Sequence, residues 1–186
     1  MKKKTLNKVY VDIFIFAFSL LAAGFCFFSI TNTDIWWHLS AAREMFVQKQ
    51  ILFRDPFSFT TPGAEWIDVH WLFQIILYGI HSFLGVWGVV IIKCLSILGA
   101  SLILSYTFKA KYARIVTAII FSWLLYDARY LVLARPIIFT ILFMIGMFAV
   151  LEKKKGQLSK RDFVILGCIQ VVWSNVQGLF LLGTVM

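Results

Sequence analysis

Two long apolar runs organise the chain. Residues 9–30 carry one charge, Asp12, and residues 86–108 carry one, Lys93. Each run is long enough to cross a hydrocarbon core of about 30 Å as a helix. Further apolar runs over 115–134 and 136–152, and one from 162 to the last residue, 186, predict three more helices. Pro136 suits the first turn of the fourth. Asp127 and Arg129 fall in the outer half of the third, and the polar break Ser174-Asn175-Val176-Gln177-Gly178 interrupts the fifth.

Between the first two runs lies the least apolar stretch, from Thr31 to Glu65. A cap at Thr33 or Asp34 starts a helix over 35–49. Ile35, Leu39, Ala42 and Phe46 form one stripe, with Ser40, Glu44 and Gln48 opposite and Trp36-Trp37 at the start. That pattern predicts a helix lying in the membrane interface. Arg54-Asp55-Pro56 through Pro62-Gly63 predicts turns and extended chain. A second loop helix is predicted over 66–83, with His70, Gln74 and His81 on one face and Gly85 ending it.

Composition makes lipid the natural solvent for these runs. Apolar residues are 61% of 186 and charged residues 15%, against about 25% charged in soluble domains. The net charge of +9 does not point to nucleic acid. Twelve of the 18 Lys and Arg fall in three clusters bordering apolar runs: Lys2 to Lys8, Lys109 to Arg114, and Lys153 to Arg161. Such clusters mark cytoplasmic flanks. The N-terminus is then cytoplasmic, residues 31–85 lie outside, and a single crossing, 86–108, connects them to the cluster at 109. The 66–83 helix therefore lies along the outer face. The first run is long for a cleaved signal and lacks a small-x-small site, so it reads as an uncleaved first helix. Cys26, Cys94 and Cys168 sit inside apolar runs and suit small apolar fillers. The expected architecture is all-α: one polytopic domain over 1–186, with about five membrane crossings and two interfacial helices in a long first outer loop. The chain stops at Met186 in an apolar stretch, which reads as part of a longer protein in the cell membrane.

Polar groups at the outer face are the candidates for chemistry, because charges in or near lipid usually face a cavity. Asp34 could act as general base or hold a metal, or could simply cap its helix. His38, one turn on, shares its face. Asp55 could be a second acid or a turn former. Asp68 could bind substrate or cap a helix, and His70, Gln74 and His81 could line a polar cleft. Arg129 and Arg135 could grip phosphate through forked donors or reach headgroups, with Asp127 as a partner. Asn175 and Gln177 could bind sugar hydroxyls or bond a broken helix end.

Several of these residues recur in a known pattern. Asp34-Ile35-Trp36-Trp37-His38-Leu39, then Arg54-Asp55-Pro56-Phe57-Ser58-Phe59-Thr60, Trp66 to Leu72 with Gln74, Ala134-Arg135-Pro136 and Trp173 to Gly178 resemble bacterial multipass glycosyltransferase-like proteins near the GT-C superfamily. That group often has His at the place of Gln177. Better-known relatives include the protein O-mannosyltransferases. The resemblance implies a sugar donor carried on a polyprenyl phosphate, used at the outer membrane face, with Asp34 as base or ligand of a divalent metal ion. Those relatives usually have more helices. The resemblance therefore also leaves room for an inactive truncated homologue, a non-enzymatic membrane subunit or a transporter fragment.

Overall fold

The computed structural model describes residues 2–30, 32–154 and 157–186. Thr31 and Lys155 lie outside the described residues. The helices are α1 (Lys2–Phe25), α2 (Asp34–Gln48), α3 (Trp71–Thr107), α4 (Lys111–Asp127), α5 (Ile137–Lys154), α6 (Lys160–Val176) and α7 (Leu181–Val185), with short 3-10 turns at Arg129–Leu131 and Gly178–Phe180. Among the described residues there is no strand, only an isolated bridge between Arg54 and Glu65. Two helices are long and apolar enough to cross a membrane, α1 from Lys8 to Phe25 and α3.

The boundaries of three helices differ from the sequence expectation. The loop helix predicted from 66 begins at Trp71. Residues 53–66 close instead into a hairpin-like turn, in which Asp55 N–H donates to Ala64 O at 2.9 Å and Trp66 N–H to Phe53 O at 2.9 Å. Gly85 interrupts α3 as expected, so the predicted 66–83 and 86–108 segments are its two helical arms, one on either side of that residue. Gly85 has φ 60° and ψ −154°, a backbone conformation that only glycine adopts readily. The helix predicted over 115–134 begins earlier and ends at Asp127, leaving Arg129 in the 3-10 turn and Arg135 in the bend before α5. α1 stops at Phe25 rather than Ile30, where the Cys26 amide turns tightly onto Ala23 O.

Helix directions follow from paired positions. Tyr106 donates to Asp12, Ser19 bonds Ser101 at 2.8 Å, and Phe27 stacks on Trp87, so α1 and the second arm of α3 are antiparallel. Ser122 donates to Phe18 O at 2.6 Å and Phe25 meets Tyr126, so α1 and α4 are parallel. Trp173 donates to Thr140, and a methyl at Gly146 would touch Ile169, so α5 and α6 are antiparallel. The N-terminal end of α1, the start of α4 and the α5–α6 connection therefore share one end of the bundle. Lys8, Lys111, Arg114, Lys153 and Lys160 all lie at that end. Buried Ala22 and Ala100 and the Ser19–Ser101 bond let these backbones approach closely.

The core has two parts, and the second takes in Val89 from just past Gly85. Ala22, Cys26, Ile97, Ala100, Phe121, Leu125, Ile138 and Ile145 join α1, α3, α4 and α5. Ile35, Leu39, Phe73, Leu77, Val89, Ala134 and Val176 join α2 to the first arm of α3 and to the start of α5 and end of α6. The expected α2 stripe is thus covered by protein. Ile35, Leu39 and Ala42 are buried with Ala41 and Met45, whereas Phe46 is about half exposed and lies beside the Tyr78 ring.

Gly85→Ala is expected to cost about 1–3 kcal/mol, because an L side chain is strained at this φ and ψ. Gly79→Ala in the same arm, where an added methyl meets nothing within 4 Å, is expected to be neutral or stabilising by up to about 1 kcal/mol. Unfolding midpoints in detergent compare the two; an equal response would contradict the role given to Gly85.

Candidate functional site

At the end of the bundle opposite the basic residues lies a cleft of about 470 Å³. Four chain segments line it. Asp34, Trp37 and His38 come from the first turns of α2, and His70 from the residue before α3. Leu131, Arg135, Pro136 and Ile137 come from the turn into α5, and Gln177 follows α6. Five residues singled out from sequence, Asp34, His38, His70, Arg135 and Gln177, therefore meet in one place.

The carboxylate of Asp34 accepts from the Arg135 guanidinium at 2.6 Å, with both side chains about half exposed. Asp34 is the first residue of α2, one position past the N-cap Thr33. Thr33 precedes the helix without a side-chain cap bond, and the Asp34 amide is satisfied by Asn32 Oδ1 at 3.0 Å. The same Asn32 oxygen faces Arg135 Nη2 at 3.4 Å, so one buried amide orients both charges. Asp34 also stands in the first turn of α2, where the helix dipole favours an anion.

Behind the two histidines lies a buried polar chain. Asp68 Oδ1 accepts from the His70 backbone N–H at 2.9 Å and from Gln74 Nε2 at 3.1 Å. Gln74, fully buried, places the same Nε2 at 3.4 Å from His38 Nδ1. His70 Nε2 meets Gln177 Oε1 at 2.8 Å, and that oxygen also accepts from the Gly178 amide at 2.7 Å. Burial pushes the His38 imidazole down to about 4; the neighbouring His70 and Arg135 push the same way, against Asp34. Burial also raises the Asp68 carboxyl above its usual range, opposed by its bonds from His70 and Gln74.

Other candidates lie elsewhere. Asp55 forms a turn: its Oδ1 accepts from the Phe57 and Ser58 amides, its Oδ2 from the Ser58 hydroxyl, and these bonds, the hydroxyl first, hold its carboxyl low. It lines a separate cavity of about 280 Å³ with Trp37 and Trp66. Arg129 lies over the Tyr126 and Tyr130 rings, at 4.4 Å from each, rather than beside Arg135. Asn175 accepts from Trp71 Nε1 at 3.0 Å and donates to Val171 O, fastening α6 to α3. His81 meets the edge of Trp36, apart from His70 and Gln74.

The cleft does not fit a divalent metal ion. Asp34 is its single carboxylate, already charge-compensated by Arg135, and among the described residues no three His, Cys, Asp or Glu side chains converge to hold an ion. Sequence reasoning missed Asn32 and gave Gln74 no role of its own. Asn32 carried a signal, a short amide two residues ahead of a helix start. No protein-family model, curated protein or solved structure matches the chain.

His38 makes stability depend on pH. It titrates near 6.5 when unfolded and near 4 when folded, so between those values the unfolded state binds more protons. Stability is then complete above about pH 6.5 and falls as pH drops toward 4, by on the order of 2 kcal/mol. Asp68, raised on folding, acts in the opposite sense from about 3.8 upward. Unfolding across pH 4–7 for the native chain and for His38→Asn isolates the histidine part; equal slopes would contradict a buried neutral His38.

Proposed function

We propose that this chain is the N-terminal part of a membrane glycosyltransferase that takes a sugar from a polyprenyl-phosphate carrier at the outer face of the cell membrane. The observation that carries the reading is the Asp34–Arg135 pair, exposed in a cleft at the end away from the basic residues. A guanidinium there offers forked donors to a phosphoryl group. A carboxylate beside it can accept a proton. In an inverting transfer, Asp34 takes the proton of an acceptor hydroxyl while that oxygen bonds the anomeric carbon. The bond from that carbon to the phosphate oxygen breaks, and the electron pair leaves with the phosphate, facing Arg135. His70 and Gln177 present polar edges to the sugar.

The orientation belongs to the same proposal. Five crossings, α1, the second arm of α3, α4, α5 and α6, place the basic end in the cytoplasm. α4, α5 and α6 have 17, 18 and 17 residues, or about 26 Å each at 1.5 Å per residue. α2 and the first arm of α3 then lie along the outer face. With the native cysteines replaced, Thr60→Cys is expected to react with an impermeant thiol reagent in intact cells, and Gln157→Cys only after permeabilisation. Reaction at 157 from outside would overturn the orientation.

Transfer from polyprenyl-phosphate sugars tests the chemistry. Asp34→Asn should lower the rate by roughly 10²-fold or more, the scale of a lost general base, with little change in membrane yield. Arg135→Gln should lower it comparably, whereas Asp55→Asn and Arg129→Gln should stay near the native rate. Full activity in Asp34→Asn would remove Asp34 as the base, whereas no transfer by the native chain would favour a docking subunit.

A further inference from the structure

The hydrogen bonds behind the cleft form a chain of donors and acceptors with one consistent assignment. The Asp68 carboxylate can only accept, so the Gln74 amide must turn its NH2 group toward it, as the 3.1 Å contact has it. That NH2 has two hydrogens. The second lies toward His38 Nδ1 at 3.4 Å, and an amide hydrogen requires an acceptor. His38 Nδ1 must then be unprotonated, and in a neutral imidazole the proton sits on Nε2. Trp37, Phe73 and His70 surround the same ring, at centroid distances of 4.8, 5.1 and 5.7 Å, so His38 has little room to reorient.

We propose that Gln74 is a positioning residue, anchored by Asp68, that holds His38 in the Nε2–H form. His38 then meets a ligand in the cleft as a neutral hydrogen-bond donor and not as a base. Its location suits an oxygen that gains negative charge, because a donor fixed in advance stabilises such an oxygen without reorganising. The low proton affinity of the buried ring agrees, since it stays neutral at physiological pH. The division of labour that results leaves proton acceptance from a ligand beside Arg135 to Asp34, the carboxylate that lines the cleft. The tautomer stands on the hydrogen bonds alone; the identity of the oxygen, phosphoryl or sugar, rests on the glycosyl-transfer reading.

Nitrogen-15 NMR of histidine-labelled chain in lipid nanodiscs at pH 7 reads the tautomer directly, with His38→Gln identifying the His38 signals. The native chain should show His38 protonated at Nε2. Gln74→Leu, close in volume but without the amide, should lower the ratio of the Nε2–H to the Nδ1–H form roughly fivefold, the scale of one hydrogen bond. Gln74→Glu should reverse the preference, because a carboxyl oxygen facing Nδ1 accepts a proton from it. An Nδ1–H form in the native chain, or a ratio unmoved by both variants, would overturn the proposal. Should Gln74→Leu fail to fold, Gln74→Glu carries the test alone. A confirmed tautomer together with no transfer by the native chain would leave the role of Gln74 standing and remove the enzymatic reading, so the two failures are distinguishable.

Discussion

The Asp34 carboxylate and the Arg135 guanidinium meet at 2.6 Å and join the first residue of α2 to one just ahead of α5. A half-exposed pair of this kind contributes only about 0–1 kcal/mol to stability, so it does not hold the two segments together by itself. Packing does that: Ile35 and Leu39 below Asp34 rest on Phe73 and Leu77, and the same cluster takes in Ala134, next to Arg135, and Val176, next to Gln177. The pair determines how the charges face one another on that apolar floor. Asn32, whose single Oδ1 accepts from both the Asp34 backbone amide and the Arg135 guanidinium, gives the two residues a common reference point.

The Gly85 break makes this arrangement possible. A straight helix from Trp71 to Thr107 would carry its first arm along the direction of the second. With glycine in a conformation that departs from the helix, the second arm packs with α1, α4 and α5, and the first arm supports α2. Crowding around Gly88, where an added methyl would come within 2.8 Å of Leu84 and Ile80 carbons, shows how tightly the two arms meet. His70, Trp71 and Gln74 stand at the beginning of the first arm, so the break also decides where the polar chain behind the cleft lies.

Much of this was legible in the sequence. Apolar run length gave the helices of the bundle, and Pro136 and Gly85 gave two of the interruptions, because both act through backbone geometry that a local reading detects. Asp34, His38, His70, Arg135 and Gln177 were each identifiable as polar groups in costly places. Which of them meet was not legible, since contacts such as His70 with Gln177 join residues far apart in the chain. Asp55 and Arg129 looked equally chemical, yet each is satisfied locally, by a turn in one case and by tyrosine rings in the other. The α2 stripe suited a lipid interface or a protein neighbour equally well, because periodicity reports an apolar face and not what covers it.

The account stands on the cleft as the place where a polyprenyl-phosphate carrier binds. Leu131 and Ile137 line that cleft, while Phe59 lies in the loop between α2 and α3, almost fully exposed and apart from it. A photo-crosslinking amino acid at each of these three positions, in membranes supplied with radiolabelled polyprenyl phosphate, tests this directly. The account predicts label on the chain from positions 131 and 137, reduced by excess unlabelled carrier, and none above background from position 59. Competable label from 59 alone, or none from 131 and 137, would contradict it.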